Sequence, residues 1–338
     1  VTIGRPTFIA TAATALGALA AGRLGTEDAM AAGTATLEIP KRRLGRTNEE
    51  VSIVGMGGFH LGKPDLPDGD AIKLIHSGID RGITFLDNSW DYNSGNSELR
   101  MGRALQLPGY RDRVFLMTKI DGRTKEAFEE QFEESLHRLL VDHVDLVQFH
   151  ENIRPDDADR IFAPGGALEA AIAARDAGKT RFIGFTGHKH PKFHLHMIEL
   201  ADKNGFKFDT VQMPLNVMDA HYESFEKLVI PAAQKRDIGI IGMKPFGDHA
   251  ILDTGAVPPL VMLRYGMNLP TSVMVTGIDK PEILDQALDA AAGFKPMNEA
   301  QVAAILEKTA QLALDGKSEL YKTTHYFDST FQNPKWLG

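Results

Sequence analysis

The sequence predicts an α/β protein of the (β/α)8, or TIM, barrel class, with an N-terminal capping hairpin and an extra C-terminal helix and tail. Three observations predict it. Short unbroken apolar runs recur along the chain, as strands buried on both faces of a parallel sheet require. Helix-like segments alternate with them in eight strand–helix units, which favours a closed barrel over an open sheet. Glycines punctuate the joints, as in "RDAGK" and "DKNGF", where a helix C-cap needs them.

Taken in order, "GTATLEIPKRRLGRTNEE" reads as a short capping hairpin. The first strand is "VSIVGMGG" (51–58), followed by helical "DAIKLIHSGIDRG". The second is "ITFLD" (83–87), then "NSELRMGRAL". The third is "VFLMTK" (114–119), then the amphipathic "KEAFEEQFEESLHRLL". The fourth, "VDLVQFH" (144–150), precedes "GALEAAIAARDAGK", and the fifth, "RFIGFTG" (181–187), precedes "PKFHLHMIELADKNG". The sixth, "DTVQM" (209–213), leads to "SFEKLVIPAAQKR", and the seventh, "IGIIGMK" (238–244), to "PPLVMLRYGMN". The eighth, "SVMVTG" (272–277), leads to "KPEILDQALDAA". Beyond residue 296 come an extra helix, "NEAQVAAILEKTAQLAL", and an aromatic tail. Residues 32–338 therefore read as one barrel domain, with no repeat or low-complexity linker to set off a second.

The first 31 residues read differently. "RPTFIATAATALGALAAG" places Arg5 before an alanine-rich apolar run from Phe8 to Ala21, and "AMA" at 29–31 supplies a small-x-small cleavage pattern. Those are the three parts of an export signal, which predicts an exported, periplasmic protein; the alternative is a cytoplasmic protein with an alanine-rich extension. The stretch resembles a twin-arginine signal in which Pro6 stands where the second arginine belongs. The run is shorter than the roughly 20 apolar residues that span a bilayer, so no stable membrane insertion is expected.

Composition narrows the chemistry. The chain carries 37 basic and 45 acidic residues, and no basic run marks a nucleic-acid surface. There are no cysteines, which excludes disulfides, thiolate metal sites and a cysteine nucleophile.

In a barrel of this class, chemistry sits at the C-terminal ends of the strands. Those ends carry Asp87 after the second strand, Lys119 after the third and His150 after the fourth, with Tyr92 on the loop "NSWDYNSGNSE". Neighbouring strand tips converge on one mouth, so the four can meet. A lysine ammonium about 4 Å from a phenol, at an effective dielectric of about 20, is worth roughly 4 kcal/mol, or some three pKa units. That predicts a Tyr92 phenol brought near pH 7, where a general acid works best. Asp87 would keep Lys119 charged and oriented, and His150 would polarise a bound carbonyl. A hydride from a nicotinamide would complete the set.

The pattern "FLDNSWDYNSGNSE … LMTK … DLVQFHE … FIGFTGHKHP … DTVQMPLN … GIIGMKPFG" resembles the aldo-keto reductases, over about residues 38 to 292. The resemblance implies a catalytic tetrad of Asp87, Tyr92, Lys119 and His150. It also implies an oxidoreductase that reduces an aldehyde or ketone with NADPH, or runs the reverse, without metal. NADP is the expected cofactor, NAD the alternative, and a small-molecule carbonyl the expected substrate. Where the family has Ser-Asn for the nicotinamide carboxamide, this chain has Thr186-Gly187, with His188 next to replace the amide. Gln212 matches a glutamine that reaches the same carboxamide, and Met243 stands where an aromatic usually stacks on the ring. The loop Lys244, Pro245, Phe246 and Gly247 follows, with Lys244 toward the pyrophosphate, and Lys280 is placed for a 2′-phosphate or, alternatively, is a solvated helix start. A later Glu-Asn pair of the family reads Gln286-Ala287 here. Phe59, His60 and Trp90 are expected to line the substrate pocket, the alternative being simple loop packing.

The rival enzyme class is a metal-dependent barrel hydrolase using the cluster His188–His196, since "GHKHPKFHLH" has four histidines in ten residues. Its spacing opposes this. Pro191 is placed to open a helix, and His194 and His196 then fall on different faces.

Overall fold

The computed structural model describes residues 38–338; the expected export signal, at 1–31, lies outside the described residues. An antiparallel hairpin comes first, β1 (Lys41–Arg43) paired with β2 (Glu50–Ser52). Eight parallel strands then close into a barrel: β3 (Val54–Gly57), β4 (Phe85–Asp87), β5 (Phe115–Ile120), β6 (Val144–Phe149), β7 (Thr180–Thr186), β8 (Thr210–Pro214), β9 (Gly239–Met243) and β10 (Val273–Gly277). Each bonds to the next in sequence, and β10 returns to β3 with Met274 opposite Val54.

The eight outer helices are α1 (Asp68–Asp80), α2 (Asn96–Leu105), α3 (Lys125–Leu139), α4 (Ala167–Asp176), α5 (Pro191–Lys203), α6 (Phe225–Gln234), α7 (Pro259–Asn268) and α8 (Pro281–Ala292). Their starts follow local chemistry. Thr124 caps α3 by accepting from the Ala127 amide at 3.3 Å, and α5, α7 and α8 each begin with a proline in the first turn, where a missing N–H costs nothing.

The expected first strand is divided. Residues 51–52 belong to the hairpin and 54–57 to the barrel, while Gly58–Leu61 form a single helical turn. Side-chain bonds explain the break at Ile53. The Ser52 hydroxyl donates to the Val54 carbonyl at 2.7 Å, and the Ser52 amide donates to Thr84 Oγ1 at 2.8 Å, diverting groups that would extend a ladder.

Every residue of β5 and β6 is buried, because one face packs into the barrel and the other against helices. Inside, Phe85, Phe115, Met117, Leu146, Ile241 and Val273 fill the lumen, and Leu44 and Val51 of the hairpin plug its base. The lumen is a packed core, so a ligand can enter only at the mouth. The C-terminal region begins with α9 (Glu299–Thr309), held by a reciprocal capping box of Asn298 and Gln301. Residues 318–338 then run back across the mouth: Arg123 N donates to Leu337 O at 2.9 Å, and the Trp336 ring packs on Trp90 at 5.2 Å. No described helix is long and apolar enough to cross a membrane.

Candidate active site at the barrel mouth

Strand ends position the four expected residues. Asp87 closes β4, Lys119 lies near the end of β5, His150 follows β6, and Tyr92 opens a short 3-10 turn after β4. That turn is tight: Asn93 and Ser94 both hold positive φ, at 52° and 54°. Asn enters this left-handed region readily, Ser less often, and here the Asn93 amide anchors the turn on Phe59 O at 2.7 Å and Ser97 Oγ at 3.0 Å.

The four residues meet. Lys119 Nζ donates to Asp87 Oδ1 at 2.6 Å, to Asn88 O at 2.7 Å and to Tyr92 Oη at 3.2 Å. The His150 ring stands edge-on to the Tyr92 ring, with centroids 5.7 Å apart. Phe59 packs on the other side of Tyr92 at 5.4 Å, and Trp90 instead turns outward to Glu134, with Nε1 donating at 2.6 Å. Lys119 and Asp87 are almost fully buried, so each charge depends on the other.

That pairing changes the expected electrostatics of Tyr92. Burial raises the phenol pKa well above its ordinary value, and the nearby carboxylates of Asp87 and Asp91 raise it further. The Lys119 charge is neutralised by Asp87 at contact, so it does not bring the phenol to neutrality. Tyr92 is therefore a phenol that keeps its proton at neutral pH.

His150 is bound on one nitrogen. Nδ1 lies 3.0 Å from Asp121 Oδ1, 3.2 Å from Ser89 Oγ and 3.3 Å from Asp91 Oδ1. Asp91 and Asp121 carry no motif in the sequence, and both were missed by reading strand tips alone.

The residues expected to hold a nucleotide divide into two groups. At the carboxamide end, Thr186 Oγ1 and Gln212 Oε1 are buried without a hydrogen-bond partner, an unusual state for side-chain oxygens and a fit for a ligand amide. Gly187 departs from the family's asparagine for a packing reason: a Cβ there would lie 2.5 Å from Asn152 O. Asn152 occupies that space, donating to Thr186 O at 2.8 Å and leaving its own Oδ1 without a partner. The second group lies under the C-terminal segment. His188 Nε2 pairs with Asp328 at 2.8 Å, and Lys244 Nζ stands over the Phe327 and Tyr321 rings at 5.1 and 5.5 Å. Met243 is half-buried beside them, Pro245 and Gly247 are buried, and Phe246 packs into the core around α7. Lys280 is exposed at the N-cap of α8. His60 lies against Gly277 at the end of β10, so close that a Cβ there would fall 2.2 Å from its ring.

The histidine cluster does not converge. His188 pairs with Asp328, His190 with Glu223 at 2.9 Å and His196 with Asp159 at 3.1 Å. His194 is buried against Phe185 and Phe225 and bonds Gln212 O at 3.2 Å. Four histidines on four separate partners give no support to the hydrolase reading. The closest grouping of metal-ligating atoms among the described residues is Asp91, Asp121 and His150, within 4.8 Å. There both Asp91 oxygens already accept hydroxyl bonds, from Ser89 at 2.6 Å and Ser329 at 2.7 Å.

Comparison with known proteins bears on the family and the fold. The sequence model of the aldo/keto reductase family matches residues 53–256, more than half of the chain. Over 162 residues the chain is 36% identical to L-galactose dehydrogenase of Arabidopsis thaliana, covering 44% of this chain and 49% of that protein. It is 29% identical over 205 residues to aldo-keto reductase YhdN of Bacillus subtilis, covering 57% of each, and 31% identical over 157 residues to 6-dehydroglucose reductase of Novosphingobium aromaticivorans, covering 42% of this chain and 50% of that one. The chain spans about half to three-fifths of the length of these curated relatives. Among solved structures, the holo form of an aldo-keto reductase from Bacillus halodurans superposes with a TM-score of 0.68 at 20% identity, covering 83% of this chain and all of that one. At that identity the likeness shows the fold.

Proposed function

This chain belongs to the aldo/keto reductase family, and from that premise we propose that it interconverts a small aldehyde or ketone and its alcohol, with Tyr92 as the proton donor in reduction. One observation carries the reading: Lys119 Nζ touches Asp87 and Tyr92 Oη at once, at 2.6 and 3.2 Å, beside the His150 ring. A reduced nicotinamide, NADPH with NADH as the alternative, would supply the hydride. Thr186, Gln212 and Asn152 would hold its carboxamide end through their unpartnered oxygens, and Lys244 and Lys280 would meet its phosphates.

The chain's own residues manage the proton. As the carbonyl carbon takes a hydride, its oxygen becomes an alkoxide far more basic than a phenolate. A phenol that is protonated at neutral pH is then a competent donor. Lys119 stabilises the phenolate left behind, and Asp87 and the Asn88 carbonyl keep Lys119 facing it. His150 donates to the same substrate oxygen, so charge that develops there meets donors set in place before reaction.

Tyr92→Phe tests this. We expect kcat to fall by about 100-fold or more, while nucleotide affinity, followed by cofactor fluorescence, stays within a few-fold. Near-normal turnover in that variant rejects the assignment. Two relatives are named for sugar chemistry, L-galactose dehydrogenase and 6-dehydroglucose reductase, so the substrate panel should include sugar aldehydes, keto-sugars and lactols with simple carbonyls.

A further inference from the structure

His150 is held by groups from two loops, with a third segment behind them, and none of these groups belongs to the tetrad. Asp121, two residues beyond Lys119, and Asp91, next to Tyr92, both face Nδ1, at 3.0 and 3.3 Å. The Ser89 hydroxyl lies 3.2 Å from the same nitrogen and donates to Asp91 Oδ1 at 2.6 Å. Asp91 Oδ2 in turn accepts from Ser329 Oγ, in the C-terminal segment, at 2.7 Å. Behind His150, Arg123 Nη2 donates to its carbonyl at 2.7 Å.

Two carboxylates aimed at one ring nitrogen can be satisfied only if that nitrogen carries a proton. Arg123 pairs with Asp157 at 2.9 Å and Lys119 with Asp87 at 2.6 Å, while Glu151 accepts from the amides of Ser329 and Thr330 and from the Thr330 hydroxyl. The carboxylates that contact the His150 ring directly are those of Asp91 and Asp121.

We propose that Asp121 and Asp91 are positioning residues that keep His150 an imidazolium, with Nδ1–H in the clamp and Nε2–H left for the substrate oxygen, and that Ser329 completes the clamp by orienting Asp91. The proposal rests on the reading of His150 as a donor to a carbonyl. An ionised donor makes a shorter and stronger bond to a developing alkoxide than a neutral imidazole does. It also fixes the ring: with Nδ1 committed, only Nε2 can serve the substrate.

The balance of burial against charge at these groups agrees with the geometry. Burial alone would lower the His150 pKa, but Asp91 and Asp121 outweigh it and raise it to about 10. Burial and the Asp91 charge push Asp121 up to about 6. Asp91 is held well below the usual carboxylate range by His150 and the two serine hydroxyls, against the opposing effect of burial. The C-terminal segment thereby becomes part of the electrostatics around His150, since Ser329 touches Asp91 and, among the described residues, no other segment bonds its second oxygen.

The test is a titration of His150 in the full chain without substrate, using 13C-labelled histidine and a His150→Gln variant for assignment. Wild-type His150 should stay protonated through pH 8. In Asp121→Asn its pKa should drop by about one to three units, the scale of one adjacent opposite charge. Asp91→Asn should do the same, Ser329→Ala less, and Asp121→Glu should restore most of the shift. In parallel, kcat of Asp121→Asn should fall as pH rises from 6 to 8 while the wild-type value stays flat, with KM for nucleotide unchanged. A wild-type His150 titrating near 6.5, or an unmoved pKa in both Asn variants, overturns the clamp. A shifted pKa in a protein that reduces no carbonyl keeps the clamp and rejects the function.

Discussion

Gln212 Nε2 donates to Asp87 Oδ2 at 2.5 Å, tying β8 to β4 across the barrel mouth. The resemblance places Gln212 with a nicotinamide carboxamide; the bond shows that its amide nitrogen also anchors the carboxylate that holds Lys119. One side chain therefore joins the cofactor end of the site to the proton-donating end. Gln212→Leu should remove both effects. We expect a loss of about 1.5–3 kcal/mol in unfolding free energy, the range for a hydrogen bond to a charged group, together with weaker nucleotide binding. Urea unfolding and cofactor fluorescence measure the two separately. A variant that loses affinity at unchanged stability would mean the Asp87 bond contributes nothing.

Lys119 and Asp87 should behave as one unit. Both are almost fully buried, so Lys119→Met leaves a carboxylate without its counter-ion and should cost about 3–5 kcal/mol. The double variant Asp87→Leu, Lys119→Met should regain much of that stability while remaining inactive. Additive losses in a double-mutant cycle would show that the two charges are solvated independently.

The C-terminal segment should be released by acid. Asp328 bonds His188, Lys189 and His325; burial opposes ionisation, yet these partners hold its pKa down to about 2. Its folded pKa lies below the unfolded value, so its contribution is complete above about pH 4 and disappears as pH falls toward 2. Asp328→Asn should mimic that loss at neutral pH. Hydrogen exchange should quicken in residues 320–338 of the variant, with the amides of β5 and β6 unaffected. Equal protection in both proteins would show that Trp336 and Leu337 suffice to hold the segment.

Two histidines, His194 fully buried and His60 partly buried, should make the fold acid-sensitive in a different window. Burial lowers His60 and His194 to about 4, below the unfolded value of about 6.5. The unfolded chain takes up protons that the folded one refuses, so this stability is full above about pH 6.5 and lost as pH falls toward 4. Each histidine contributes at most one proton, a slope of about 1.4 kcal/mol per pH unit. His194→Phe, filling the same space beside Phe185 and Phe225, should flatten the dependence of unfolding free energy on pH by up to that amount. An unchanged slope would place the titration of His194 elsewhere.

If Tyr92 and His150 alone activate the carbonyl for hydride transfer, activity should survive exhaustive chelation. Activity lost to a chelator and restored only by Zn²⁺ or Mn²⁺ would instead point to a metal at Asp91, Asp121 and His150.

Read alone, the sequence determined the barrel and the four residues at its mouth. Apolar runs of strand length alternating with amphipathic segments admit few folds, and a strand's last residue faces the mouth by topology, so Asp87, Lys119 and His150 could be placed by counting. The hairpin also followed from its turn residues, although the break at Ile53 did not, because it depends on Ser52 meeting Thr84 across 32 residues. Tertiary structure alone decided the electrostatics. Lys119 is matched to Asp87 at contact, so the phenol of Tyr92 is pushed up rather than down, and no periodicity reports that balance of burial against charge. Only folding brings Asp121 and Asp91 to one imidazole and Ser329 to Asp91, from which it lies 238 residues away. The tail that supplies it has no motif, and its place over His188 and Lys244 is set by long-range contacts of Asp328, Phe327 and Trp336. Local patterning encodes where strands end; which groups share a buried volume, and therefore which protons they hold, is a property of the packed chain.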